Sequence, residues 1–191
     1  MPGSMIHLIV AKKVNPDGNT RFYLGNIAPD AVVDWHDKDI THFRNLSDRR
    51  PSLISLAKET KDDFAEGVLL HLYFDWKWDI IIRQKFIDKT GNNWFSPYRY
   101  ELSLAGSYAF HHTEWAEQLW NDMDLLESTN YGATPRASIV DVKDFVSRNK
   151  RWHNENILTP SAAFPPDVIS NFTTQIAEEY KGEFCDYQDK V

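Results

Sequence analysis

The sequence predicts a compact all-α fold, and three observations carry that expectation. The segment Asp62 to Lys89 contains no proline, opens on aspartates able to cap a helix and stops at Thr90-Gly91-Asn92. Other apolar stretches are bounded by Pro, Asn, Asp and Gly, and several open at or just after a proline, where a missing N–H does no harm. No alternating apolar–polar run bounded by a two-residue glycine turn occurs, so the hairpin pattern is missing. With 191 residues the chain suits one domain, taken as residues 5–191, and buries roughly 70% of the surface it exposes when unfolded.

In chain order, Met5 to Val14 carries Ile6, Ile9 and Val10 on one side and reads as a first helix that stops at Asn15-Pro16-Asp17-Gly18. Asn19 to Ile27 reads as a second short helix ending before Pro29, because the residue preceding proline disfavours the helical region. Val33 to Arg50 is loop-rich, with one short helix or turn expected around Asp39 to Asn45. Pro51 to Thr60 is the third helix. Asp62 to Lys89 is expected to be the central helix, since apolar residues fill nearly all its faces through Ile82. Tyr98 to Leu126, interrupted only by Gly106, reads as one long helix. Pro135 to Asn156 and Pro165 to Tyr180 supply the last two.

The chain carries 28 acidic against 21 basic residues, a net charge of −7, which argues against wrapping nucleic acid or docking on an anionic membrane. Charged residues interrupt every apolar stretch well before the ~20 residues that span a bilayer. Cys185 is the single cysteine, and a signal-peptide pattern is not seen, so a reducing cytoplasm is the expected setting. Met1-Pro2-Gly3-Ser4 ahead of Met5 looks like a cloning scar and is set aside. Seven tryptophans suggest a tightly filled core or a pocket lined by rings, the core being the favoured reading. The oligomeric state is left open.

Chemistry concentrates in the run Gly67-Val-Leu-Leu-His71-Leu-Tyr-Phe-Asp75-Trp-Lys-Trp-Asp79. Residues four apart on a helix share a face, with Cβ atoms roughly 5–6 Å apart, so His71 and Asp75 can grip one cation at roughly 2.0–2.2 Å. A buried carboxylate without a partner costs several kcal/mol, and a divalent cation removes that cost. Three further residues can complete the clamp: His7 in the first helix, Asp30 on the stiff corner after Pro29, and His42. Singly, His7 and His42 read as ordinary satisfied histidines, Asp30 as a turn residue, and His71/Asp75 as a plain buried pair.

A histidine near the start, a Pro-Asp pair, a histidine twelve residues beyond that aspartate and then His-x-x-x-Asp on a buried helix together resemble the zinc-dependent phospholipase C family, to which the fungal single-strand nucleases are distantly related. The resemblance covers roughly Met5 to Ile82. It implies a multi-helix bundle in which His7, Asp30, His42, His71 and Asp75 are metal ligands, with Asp75 bridging two ions. Departures accompany the matches. Met5 stands two residues before His7, where three-zinc members use the amine of an N-terminal tryptophan. The histidine that follows the bridging aspartate and the later His-x-x-x-Glu pair are both lacking. The nearest substitutes are His111 with Glu114 and His153 with Glu155, and a reduced site of one or two ions is expected.

Zinc is the expected ion, with manganese or iron as alternatives. Such a site lowers the pKa of bound water towards ~7 and polarises a phosphoryl oxygen, so hydrolysis of a small phosphorylated substrate is the matching reaction. Lys38, Arg44 and Arg83 are candidates for the phosphate, Arg being suited to a bidentate grip. Asp79, one turn beyond Asp75, is read as orienting a ligand histidine. Arg44 and Asp79 thus join Asp75 as candidate catalytic residues. Two other readings stay open: an HD-type metal phosphohydrolase built on the adjacent His36-Asp37, and a metal- or partner-binding helical module without turnover.

Overall fold

Two buried helices organise the chain. The computed structural model describes residues 3–188, with side chains as far as Phe184 except that of Ser128. Met1, Pro2 and the Cys185 side chain, on which the scar and redox expectations bear, lie outside those residues. Helix α1 (Ser4–Val14) has Met5, Ile6, Leu8, Val10 and Ala11 fully buried. It packs against α2 (Thr20–Ile27), α5 (Asp63–Trp78), α7 (Phe95–His111) and α10 (Pro166–Gln188). The one-sided helix expected here is therefore apolar on almost every face. In its last turn only Lys12 and Lys13 run outward, their amines bonding the carbonyl oxygens of Pro16 and Ser170 at 3.0 and 2.7 Å. Ser4, set aside as scar, opens this helix and its Oγ lies 3.5 Å from Asn149 Oδ1.

Helix α5 is the central element expected. Asp62 caps it by accepting from Ala65 N–H at 2.8 Å, and Leu69 through Asp75 are buried without interruption. After Trp78 one π turn, Asp79–Arg83, widens the helix before α6 (Gln84–Thr90), which ends on Gly91 at φ +73°. Helices α2 and α5 cross with their backbones in contact. A Cβ on Gly25 would lie 2.0 Å from Phe64 O, and one on Gly67 would lie 2.1 Å from Phe22 O.

Several boundaries differ from expectation, among them the end of α10, which runs on to Gln188 where Tyr180 was expected. The short helix after residue 33 is α3, Trp35–Thr41, several residues early, because Asp34 caps it by accepting from Asp37 N–H at 2.9 Å. The long helix expected from Tyr98 to Leu126 is two, α7 and α8 (Ala116–Asp124). The His112 ring bonds the Tyr108 carbonyl at the end of α7, and the chain reverses through Thr113 so that Ala116, Trp120 and Met123 reach the core. Helix α9 begins at Ile139 rather than Pro135: Ser138 and Asp141 form a capping box, while Thr134 and Ala137 pair across a turn in which Arg136 has φ +68°. Helix α4 (Arg50–Glu59) opens on proline as read. The core takes Trp78 and Trp120 whole, whereas Trp35 is 57% exposed. No helix among the described residues is long and apolar enough to cross a membrane.

Candidate metal centre

The five candidate ligands arrive from four elements and meet in the interior. Helix α1 brings His7, the 3-10 turn Ala28–Ala31 brings Asp30, the end of α3 brings His42, and α5 brings His71 and Asp75. Their side chains are fully buried except Asp30, at 8% exposed. Local sequence explains each placement. Pro29 stiffens the turn that presents Asp30. Phe43, at φ +55°, turns the chain sharply after α3, so that His42 and Arg44 both point inward. The close crossing at Gly25 and Gly67 draws Asn26 O onto His71 Nδ1, one turn further along α5.

The imidazole nitrogens are set by their outer partners. His42 Nδ1 lies 2.9 Å from Lys38 O and His71 Nδ1 lies 2.8 Å from Asn26 O. A carbonyl oxygen only accepts, so both Nδ1 atoms carry the proton and each neutral ring turns the lone pair of Nε2 to the centre. Those two Nε2 atoms stand 3.2 Å apart. Two nitrogens at ~2.0–2.1 Å from a tetrahedral ion lie about 3.3 Å apart, which matches that spacing. Facing lone pairs repel unless a cation or proton lies between them. Burial above all holds His71 well below the ordinary histidine range, so His71 is not the proton's host at neutral pH.

The carboxylates complete two overlapping sets, one of His7, His71 and Asp75 and one of Asp30, His42 and His71, each with its donor atoms within 4.8 Å of one another. Asp75 divides its oxygens. Oδ1 lies 3.4 Å from His7 Nε2, while Oδ2 lies 3.8 Å from His42 Nε2 and 4.0 Å from His71 Nε2. Asp30 Oδ1 lies 3.7 Å from His42 Nε2. Three imidazoles with two carboxylates suit zinc, manganese or iron better than magnesium or calcium, which prefer all-oxygen shells. His7 stacks on His71 at 4.0 Å between ring centroids and has neither nitrogen hydrogen-bonded, so the ring is held in place with its lone pair uncommitted.

Cations flank the cluster. Lys38 Nζ lies 2.9 Å from Asp30 Oδ1, and Arg44 donates from Nη2 to Asp75 Oδ2 at 2.9 Å. Burial opposes ionisation of both carboxyls. For Asp30 the charge of Lys38, with His42 alongside, more than offsets it; for Asp75 the approach of His7 and the charge of Arg44 do so. Both acids are therefore held well below the usual carboxylate range.

No family model, curated protein or solved structure matches this chain. The resemblance to the zinc-dependent phospholipase C family is therefore one of residue types and their order alone.

Other sequence candidates fall elsewhere. Asp79 orients no ligand histidine: its carboxylate is held by Arg49 at 2.8 Å, Arg83 at 3.0 Å and Arg44 at 3.4 Å. Arg83 is thereby committed to Asp79, and Arg44 is shared between Asp75 and Asp79. His111 is bonded through Nε2 to the carbonyls of His153 and Asn156, and with exposed Glu114 it stays outside both sets. His36 is exposed and Asp37 sits 3.7 Å from Arg136, so the adjacent His-Asp pair contributes nothing to the cluster. Sequence reasoning missed Arg49, buried against Asp79, and Asn26, whose amide, turned to suit its neighbours, donates to His7 O at 2.7 Å. A buried arginine leaves no periodic signal, and Asn26 could be noticed only as a polar residue inside an apolar helix.

A cleft of about 340 Å³ borders the cluster at Asp30 and Lys38 and is walled by α7 and α9 (Ile139–Glu155). A second, more apolar cavity of about 420 Å³, lined by Ile9, Tyr108, Trp115 and Phe164, touches none of the five ligands.

Proposed function

We propose that this protein is a metal-dependent phosphoester hydrolase in which His7, Asp30, His42, His71 and Asp75 hold one or two divalent cations, zinc being the best chemical fit. The observation that carries the reading is the pair of Nε2 atoms 3.2 Å apart with both Nδ1 positions committed to carbonyl oxygens. A divalent ion in that set supplies Lewis-acid polarisation of a phosphoryl oxygen and acidifies water at neutral pH. The chain's own residues do the rest. Asp75 offers one oxygen to the His7 side and the other to the His42–His71 side, the arrangement a bridging carboxylate requires. Lys38, beside Asp30, offers a point charge to an incoming phosphate, and Arg44 holds Asp75 in orientation while drawing on Asp79 as a second partner.

The substrate is a small, water-borne phosphoester. A net charge of −7 works against adsorption to an anionic lipid surface, which removes the main support for a lipase of the resembled family. The test loads the purified protein with zinc, manganese or iron, measures metal content, and assays a phosphodiester and a phosphomonoester chromogenic substrate. Hydrolysis that falls on the order of 10²-fold or more in Asp75→Asn, with helical circular dichroism unchanged, is the expected outcome. Stoichiometric metal with turnover no faster than that variant would make the protein a metal-binding helical module instead.

A further inference from the structure

The cleft beside Asp30 differs in charge from the molecule that contains it. Asp30 is its one carboxylate and is engaged by Lys38 and His42, whereas Lys38 and Arg99 both line it, so two cations face one acid on a chain of net charge −7. Arg99 stands on α7, and its guanidinium has no ion pair or side-chain hydrogen bond among the described residues. Every arginine near the cluster on the α5 side, by contrast, is paired with Asp75 or Asp79. On the opposite wall, α9 contributes Asn149, Trp152 and His153. His153 is 3% exposed and its Nδ1 has no hydrogen-bond partner, although a buried polar atom left unpaired costs about 1–3 kcal/mol.

We infer that this cleft is a binding site for the non-reacting part of a small phosphoester carrying a second negative charge, with Arg99 as the specificity-determining cation. The inference rests on the metal-centre reading above and names the substrate class of that same site. Asp30 is the single candidate ligand with any exposure, so the cleft is where a solute meets the cluster. A phosphoryl group delivered to Lys38 and the cluster leaves the remainder of the molecule between α7 and α9, where Arg99, Ser103 and Asn149 offer a charge and hydrogen bonds. A volume of about 340 Å³ admits a metabolite-sized ligand and excludes a two-chain lipid. Arg99 is a binding residue here and takes no part in bond cleavage.

A matched pair of non-hydrolysable probes tests this: propylphosphonate, with one anionic group, and 3-phosphonopropionate, with two. Calorimetric titration of the zinc-loaded protein is expected to give roughly five- to tenfold tighter binding of 3-phosphonopropionate. Arg99→Ala, an exposed substitution on a helix, should abolish that preference while leaving propylphosphonate and zinc binding unchanged. Equal affinity for the two probes, or a preference that survives Arg99→Ala, overturns the inference while zinc binding keeps the metal-centre reading intact. Failure of zinc itself to bind overturns both.

Discussion

At the scale of single residues, the five candidate ligands show how a few buried side chains balance one another's charge. Asp75 is tolerated in a fully buried position because His7, Arg44 and the facing imidazoles surround it. The pair His71 and Asp75 was legible from i, i+4 spacing alone, since helical geometry places them on one face. The position of Asp79 and its i, i+4 partner Arg83 are legible too, but Arg44 and Arg49 are not, because both come from outside α5 and spacing along one helix says nothing of what packs on it. His153 gives a prediction at this scale. Burial, reinforced by His111, pushes it down from 6.5 to about 4. The folded state therefore binds fewer protons than the unfolded chain between those values, and stability is complete above pH 6.5 and lost as the pH falls towards 4. The expected loss is about 3 kcal/mol, read as a falling midpoint in urea titrations across that range. His153→Phe keeps a ring against Phe110 and should make the dependence shallower, the remainder coming from buried His71.

Among elements, the α2–α5 crossing decides whether the site assembles. Gly67→Ala puts a methyl group into the Phe22 carbonyl, and the two helices must separate. Overpacking of this kind costs about 3 kcal/mol or more. It also pulls Asn26 O from His71 Nδ1, so zinc affinity should fall along with the thermal midpoint. A matched helix-interior control, Ser103→Ala on α7, lacks that crossing and should leave zinc affinity unchanged. The capping box of α9 allows a smaller prediction. Ser138→Ala should cost about 1 kcal/mol in chemical denaturation without altering metal binding, because the start of α9 lies far along the helix from the cleft-lining Asn149 and His153. These elements also mark where local reading failed. Between Tyr98 and Leu126 only Gly106 disfavours a helix by propensity, and α7 runs through it; the break at Thr113 instead lets Trp120 reach Met5, its Nε1 lying 3.3 Å from the sulfur.

For the whole molecule, metal binding and stability are linked. A ligand that binds only the folded state stabilises it by about 2.7 kcal/mol at a hundredfold excess over Kd, which for a domain of this size raises the midpoint by roughly 5–11 °C. Zinc should produce such a shift in differential scanning calorimetry, chelation should reverse it, and Asp75→Asn should show neither effect. The protein is expected to stay folded after chelation, since the core of α1, α5 and α10 does not depend on the cluster. The sequence by itself determined the all-α class, the central buried helix and which five residues are the candidate ligands. Helical periodicity and turn chemistry are local, and the order of His7, Asp30, His42, His71 and Asp75 is written in one dimension. Tertiary structure alone decided that Asp30 and Lys38 open onto a cleft, that Arg44 and Arg49 stand behind Asp75 and Asp79, and that α7 breaks before α8. Each of these depends on groups distant along the chain becoming neighbours, and burial, not spacing, selects which of them do.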